Sequence, residues 1–484
     1  MNETKSGYDL NYLLIIANVL LCAMALCIYI ADGPNQYVNL YTLVLLFLLG
    51  TQNALMLFYG SIKKEPFILI LVAVTTVFYA ARVVSLLYNP SSTTFDRSII
   101  TPDNINYLLI FIMLSNVSIF LGLNAAKGKI IYEHIIPERQ PLSKVLNVII
   151  ILSLAIALPY MDLLPAKIFG RFAGYTLAVF FRLYLILLLT LLYLIINFRE
   201  IPISCRLVIL GLIILFVIFN TLIGSRSSLL TLAVLYMIVF LSLKGRIVLN
   251  KKHIALLVLL IPLSIFLYNL ATVCRPAFNK ITDVFSAQKR FAAKQSRYFR
   301  HFSRFVNIAQ TCEPAFDRMG FLDYSVDIIK HQEQYSQVIN TKYYLMSIVD
   351  NCLTPGFNIF GTPRASNVLK YIYNGCPSPT HQDILNAYHS DMFTLYGEYH
   401  ILFGKYPALL IFFVCSYLFK RIYLAYRNKN VFLFFLYRAI VLLVFYKWLN
   451  SFGVDWLVFE SICIFITISL FKNFYKMNTV SQSV

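Results

Sequence analysis

Charged residues are scarce in this chain of 484 residues. Asp, Glu, Lys and Arg make up 13% of it, whereas soluble domains carry about 25%. Hydrophobic residues make up 59%, and the mean hydropathy is +0.72. A soluble fold of this composition would have too few polar side chains to face water. Since runs of about 20 apolar residues recur along the chain, we expect an all-α, polytopic integral membrane protein.

Familiar metal and redox motifs are also lacking. The nine cysteines form no Cys-x-x-Cys pair and no zinc-ligand spacing, and no Asp-x-Asp pair occurs. We therefore expect no catalytic metal and no cofactor. One or two disulfides are expected in the long polar loop if it faces an oxidising compartment, with the pairing left open. The cysteines concerned are Cys274, Cys312, Cys352 and Cys376.

Negative charge is in short supply, and the formal net charge is +19. The cations lie mainly in short loops beside the apolar segments, where they set the topology and meet anionic lipid headgroups. This distribution indicates membrane lipids as partners and argues against nucleic acid. Leu13–Ala31 is a full-length apolar segment without a cleavage pattern after it, so we expect a retained span and no cleavable signal peptide.

The apolar runs predict twelve spans. They cover about 11–31, 38–60, 66–88, 107–124, 145–161, 175–196, 207–223, 228–243, 254–273, 405–424, 431–449 and 454–471. Nineteen Lys and Arg residues fall on the side of the N-terminus, against four in the short loops of the other side: Arg97, Lys167, Arg171 and Arg226. This bias predicts that both termini are cytoplasmic.

The predicted topology divides the chain into three parts. Residues 1–273 hold spans 1–9, residues 274–404 form one large outer loop, and residues 405–484 hold spans 10–12 and a short cytoplasmic tail. Within the loop, Gln288–Val306 is predicted to be an amphipathic helix, basic on one face and aromatic on the other. It anchors the loop in the outer leaflet or flanks a lipid pyrophosphate. Short helices over a cavity mouth are expected at about 307–380.

The loop ends in Tyr388–Gly404, a segment rich in ionisable side chains. A helix is predicted to run from Met392 through Gly404 into the tenth span, so that Asp391 and Glu398, seven residues apart, share one face. His389 stands just before this helix and is a candidate general base or hydrogen-bond donor, with Glu398 as a candidate base or orienting group. The alternative for this histidine is a purely interfacial role.

Arginine at predicted outer positions is the second notable feature. Arg226 lies in the turn Gly-Ser-Arg-Ser-Ser at 224–228, which opens the eighth span. A helix N-terminus beside a guanidinium is suited to an anion, although a capped hairpin with a solvated arginine explains the same pattern. Arg82 and Arg182 fall near the outer ends of predicted spans, where a functional role and a structural ion pair are equally open.

These features together resemble the bacterial O-antigen and capsule repeat-unit polymerases (Wzy type). The likeness consists of many spans, a large late outer loop, the Gly-Ser-Arg-Ser-Ser turn and a late His-Ser…Gly-Glu…Gly segment. The related O-antigen ligases have His, then Asn or Ser, and Glu nine residues on, a spacing that His389, Ser390 and Glu398 match. His400 departs from the motif, which usually has Gly there, and Gly404 comes one residue late.

The resemblance implies a GT-C-like, metal-independent glycosyltransferase of the bacterial inner membrane. Its donor and acceptor would be undecaprenyl-pyrophosphate-linked glycans, and a chain-length regulator protein is a further candidate partner. The catalytic candidates are His389, acting on the acceptor hydroxyl, with Glu398 and Asp391. The pyrophosphate-binding candidates are Arg226 first, with Arg82, Arg182 and Arg275 as helpers.

Two alternatives stay open. An O-antigen ligase uses the same donor but transfers the polymer to a lipid A core sugar, and sequence does not separate it cleanly from a polymerase. A lipid-linked oligosaccharide flippase also has about twelve spans, but two pseudo-symmetric halves are expected of such a transporter. The polar residues here are concentrated in one loop, which disfavours transport.

Overall fold

The computed structural model describes residues 8–88, 100–128, 228–245, 247–249, 321–353, 394–425 and 431–450, with short pieces at 189, 192, 207, 211, 359–362, 365, 368, 453–455, 457–458 and 461–462. Regular structure in this part of the chain is helical apart from a two-residue antiparallel pair, β1 (Tyr8–Asp9) with β2 (Val248–Leu249). The predicted all-α class is confirmed for these residues.

The helices follow one another in a simple order. They are α1 (Leu10–Asp32), α2 (Leu40–Lys63), α3 (Pro66–Thr75), a π-helical turn (Thr76–Ala80), α4 (Ala81–Tyr88), α5 (Pro102–Ala125), α6 (Ser228–Lys244), α7 (Phe321–Lys330), α8 (Gln332–Val338), α9 (Thr341–Ile348), a second π-helical turn (Val349–Leu353), α10 (Leu395–Phe403), α11 (Lys405–Ala425) and α12 (Val431–Leu449). The short helices expected within 307–380 are thus present at 321–353.

Five helical segments are long and apolar enough to cross a membrane: α1, α2, the run from α3 to α4, α5 and α11. They coincide with the apolar helical segments predicted at 11–31, 38–60, 66–88, 107–124 and 405–424. Helices α6 and α12 coincide with the predictions at 228–243 and 431–449. The total of twelve stays a prediction, since the spans predicted at 145–161, 175–196, 207–223, 254–273 and 454–471 lie outside the described residues apart from isolated positions.

Local capping explains where the long helices begin. Asn39 and Thr42 form a capping box at α2, in which the Asn39 side chain accepts from the Thr42 N–H at 2.8 Å and Thr42 Oγ1 accepts from the Asn39 N–H at 3.3 Å. Thr101 caps α5, and Pro102 occupies its first position. Asn39, Thr42 and Thr101 satisfy backbone N–H groups that the first turn of a helix leaves without a partner. Pro102 has no N–H group and therefore leaves one fewer to satisfy.

Helices α5 and α11 lie side by side and run in the same direction. Near their starts, Nζ of Lys405 lies 5.0 Å from the ring centre of Tyr107. Further along, a Cβ added at Gly122 would lie 2.2 Å from the carbonyl oxygen of Phe413. Only glycine permits this approach, as is common where membrane helices pack closely.

A buried ion pair lies at the other end of α11, where Nζ of Lys420 is 2.5 Å from Oε2 of Glu65. Burial raises the pKa of the Glu65 carboxyl, and the charge and hydrogen bond of Lys420 act against this rise. Glu65 lies between α2 and α3, and Lys420 belongs to α11, so the ion pair fixes three helices at one end of the bundle. We call this the Lys420 end of the bundle. At the opposite end α4 ends and α5 and α11 begin, and we call it the Arg82 end.

A small buried polar cluster joins α1, α2 and the first π-helical turn. Nδ2 of Asn18 donates to Oγ1 of Thr76 at 3.1 Å, and Nδ2 of Asn53 donates to Oδ1 of Asn18 at 3.2 Å. All three side chains are buried. Interhelical hydrogen bonds of this kind fix the relative rotation of helices where hydrophobic contacts alone do not.

Two short helices of the predicted outer loop reach into this core. The ring of Phe321 at the start of α7 stacks on Phe78 at 4.3 Å, and the side chains of Leu322 and Leu395 are fully buried. Oγ of Ser325 lies 2.5 Å from Oγ1 of Thr394, which binds α7 to the start of α10. Part of the loop is therefore an internal layer of the bundle at its Arg82 end.

Candidate functional site

The helix that carries Glu398 begins later than the sequence predicts. The prediction started it at Met392, but Thr394 is the N-cap: its Oγ1 accepts the N–H of Gly397 at 3.2 Å, and its backbone is extended. Asp391 precedes this cap and lies outside the described residues. The prediction that Asp391 and Glu398 share one face of one helix is therefore wrong, because the cap formed by Thr394 separates them.

The same helix also ends before the tenth span. Gly404 has φ of +76° and ψ of 176°, a conformation essentially restricted to glycine, and α11 begins afresh after it. The chain reverses here, so that α10 lies back against α11 and the ring of Tyr399 stacks on Phe412 at 5.0 Å. Phe412 lies seven residues into α11, about 10 Å from its start. Glu398 therefore sits at depth inside the bundle.

Glu398 is fully buried and has two short hydrogen bonds on one oxygen. Its Oε1 accepts from the hydroxyl of Tyr344 in α9 at 2.5 Å and from the N–H of Val454 at 2.5 Å. Burial and the nearby negative charge of Glu398 raise the pKa of Tyr344 well above its ordinary value, so this hydroxyl stays a donor. The carboxylate is consequently held in one orientation by groups from two other segments.

A second buried carboxylate, Asp455, lies next to Glu398. Its Oδ2 accepts from Oγ of Ser347 at 2.6 Å and from the N–H of Ala365 at 3.1 Å. A Cβ added at Gly453 would lie 2.6 Å from Oδ1 of Asp455 and 3.7 Å from Oε1 of Glu398. Gly453 thus lies beside both carboxylates, where a side chain would clash with Asp455.

Arg82 is held in a bidentate ion pair. Its Nη2 lies 2.7 Å from Oδ2 of Asp323 and its Nε lies 3.1 Å from Oδ1, and both side chains are fully buried. Of the two roles left open by the sequence, the structural ion pair is the one observed. A pyrophosphate at Arg82 would have to compete with this carboxylate, so Arg82 is a weaker candidate than its position alone indicates.

His400, also in α10, serves to attach this helix to α5. Its Nε2 lies 2.9 Å from the hydroxyl of Tyr107, and the residue is 4% exposed. Burial lowers the pKa of His400, and the positive charge of Lys405 lowers it further, so the imidazole is neutral at pH 7. The departure from the motif at this position therefore has a packing role.

The sequence analysis did not single out Asp323, Asp327, His331 or Asp455. Three of them, Asp323, Asp327 and His331, are spaced four residues apart along α7 and the turn after it, a spacing that the sequence does contain. Burial raises the pKa of the Asp327 carboxyl, while the hydrogen bonds from Tyr335 and His331 act against the rise. Nothing local marks the partnership of Tyr344 and Asp455 with Glu398, because they come from distant segments.

Several predicted residues lie outside the described residues and stay predictions. These are His389, Asp391, Arg182, Arg226 and Arg275, together with the amphipathic helix at 288–306. The side chains of the four loop cysteines are also outside the described part. Within the described residues, no three His, Cys, Asp or Glu side chains are grouped so as to hold a metal ion.

Comparison with known proteins gives no significant match: no family model matches the sequence, and searches of curated proteins and of solved structures find no similar protein or fold.

Proposed function

We propose that the protein is a membrane-embedded glycosyltransferase that joins undecaprenyl-pyrophosphate-linked repeat units into O-antigen or capsular polysaccharide. The proposal includes twelve spans in a GT-C-like arrangement in the bacterial inner membrane, cytoplasmic termini, and a site that opens to the outer face at the Arg82 end. The observation that carries it is Glu398, the motif carboxylate, buried in a short internal helix and oriented by Tyr344 and Val454.

The chemistry of such a transfer matches the side chains available. The acceptor hydroxyl attacks the anomeric carbon of the donor chain, a glycosidic bond forms, and the anomeric bond to undecaprenyl pyrophosphate breaks. A carboxylate fixed in one orientation suits the positioning of a hydroxyl or of a cationic base. Arg226, with Arg182 and Arg275, would bind the departing pyrophosphate, since charge-assisted contacts from arginine favour developing negative charge.

The nearest alternative is an O-antigen ligase. The spacing of His389, Ser390 and Glu398 is that of the ligase motif, and the same donor chemistry applies to both enzymes. The difference lies in the acceptor, which is a second lipid-linked repeat unit for a polymerase and a lipid A core sugar for a ligase. A flippase remains a third alternative, favoured by none of the described contacts.

A deletion strain separates these functions. Surface polysaccharide is resolved on a gel, and lipid-linked intermediates are extracted, from cells lacking the gene and from cells complemented with wild type, E398Q or the exposed control E333Q. A polymerase predicts loss of the ladder with single repeat units still attached to their final acceptor, restored by wild type and E333Q but not by E398Q. Full-length polymer accumulating on the lipid carrier would instead indicate a ligase. Single lipid-linked units trapped on the cytoplasmic side of the membrane would indicate a flippase.

A further inference from the structure

His331 lies between α7 and α8 and is hydrogen-bonded to a buried carboxylate. Its Nδ1 is 3.1 Å from Oδ1 of Asp327 and 3.2 Å from the carbonyl oxygen of the same residue. The hydroxyl of Tyr335 donates to Oδ2 of Asp327 at 2.7 Å. The side chain of Asp327 is 3% exposed, whereas that of His331 is 34% exposed. The imidazole therefore extends outward from a carboxylate whose two oxygens are both engaged.

This arrangement favours one tautomer of the neutral imidazole. A carboxylate beside Nδ1 favours the tautomer with the proton on that nitrogen, which leaves the lone pair on Nε2. Both side-chain hydrogen bonds of His331 to described residues are made by Nδ1, and the side chain is 34% exposed. In hydrolases with an Asp-His pair, the carboxylate likewise holds the imidazole in the orientation and tautomer that a base requires.

The Asp327–His331 pair is connected to Glu398 through one apolar cluster. Tyr335, the other partner of Asp327, is buried in the same cluster as Tyr344 and Ile401. Tyr344 in turn donates to Glu398. The partners of the histidine pair and of the motif carboxylate thus belong to one packing unit.

We propose that His331 is a catalytic base of the glycosyl transfer, an inference that rests on the proposed function. Its Nε2 takes the proton of a saccharide hydroxyl while that oxygen forms the bond to the anomeric carbon. The anomeric carbon–oxygen bond to pyrophosphate breaks at the same time, and its electron pair leaves with the pyrophosphate. Asp327 is the positioning residue. His389 then has the orienting role that the family resemblance equally allows.

The test uses the purified full-length protein in lipid nanodiscs with undecaprenyl-pyrophosphate-linked repeat units. H331N retains an N–H that can reach Asp327 but has no basic nitrogen, and E333Q changes an exposed residue in the next turn. We expect H331N to lower kcat by about 100-fold, with KM changed little, because general-base catalysis contributes on that order. E333Q should match wild type. Imidazole added to H331A should restore part of the rate, which a purely structural role would not allow.

Two results would overturn the assignment. One is an H331N enzyme that polymerises at the wild-type rate. The other, if neither H331N nor H331A folds as judged by size-exclusion chromatography, is a D327N enzyme with wild-type kcat. Failure of the proposed function is distinguishable, because wild type itself would then release no undecaprenyl pyrophosphate from these substrates.

Discussion

The hydroxyl of Tyr344 lies 2.5 Å from Oε1 of Glu398, and both side chains are buried. The contact joins α9 to α10 across 54 positions of sequence. It explains how a single carboxylate in a short helix keeps one orientation away from water. Removing the Tyr344 hydroxyl therefore tests the contribution of Glu398 to glycosyl transfer while the carboxylate itself is retained.

Tyr344→Phe should lower polymerisation by about tenfold, because the buried carboxylate loses one of its donors at a cost of about 1–2 kcal/mol. The ring is retained, so packing changes little. Turnover is measured with lipid-linked repeat units in nanodiscs. Tyr406→Phe is the matched control, since Tyr406 is 74% exposed and the same hydroxyl is removed. If Tyr344→Phe and wild type had equal activity, the hydrogen bond from Tyr344 would not be needed to orient Glu398 for the reaction.

Arg82→Ala should destabilise the fold by about 3 kcal/mol, because it leaves Asp323 buried without its charge partner. The apolar double variant Arg82→Met with Asp323→Leu should be more stable than the single one, since no buried charge is left uncompensated. Thermal unfolding in detergent measures both. Lys342→Ala serves as the control, as this lysine is exposed. A double variant less stable than Arg82→Ala would contradict the structural role of the pair.

Gly122→Ala should destabilise the contact between α5 and α11, because the added Cβ would lie 2.2 Å from the carbonyl oxygen of Phe413. Overpacking of this kind costs about 1–3 kcal/mol. The same substitution at Gly211 meets no atom of the described residues within 4 Å and should leave thermal stability unchanged. Equal melting temperatures for the two variants would mean that α5 and α11 are not in close contact.

Much of the bundle could be predicted from composition and apolar length alone. The run 66–88 and helix α12 have the predicted bounds, because membrane helices are defined by length and hydropathy and need no long-range information. The π-helical turn inside 66–88 was not predictable from length and hydropathy; it begins at Thr76, which is hydrogen-bonded to Asn18 and Asn53 from other helices.

The site was harder to predict, for two physical reasons. The predicted start of α10 was wrong because several residues near it are able to cap a helix. Thr394 takes this role in the structure, and Ser325 from a distant segment is hydrogen-bonded to it. Arg82 was correctly limited to two roles, but its partner Asp323 is 241 positions away. Glu398 was found from its motif, whereas Tyr344 and Asp455 meet it only in three dimensions.

The most direct test of the account is the release of undecaprenyl pyrophosphate, measured with wild type and E398Q in nanodiscs supplied with lipid-linked repeat units. Glutamine keeps an oxygen that can accept from Tyr344 and Val454, so the fold should be preserved while the negative charge is lost. The account predicts polymer formation with matching release of undecaprenyl pyrophosphate by wild type, and a loss of about 100-fold or more in E398Q. Polymer formation by E398Q at the wild-type rate, with both proteins equally folded, would contradict the central role of Glu398.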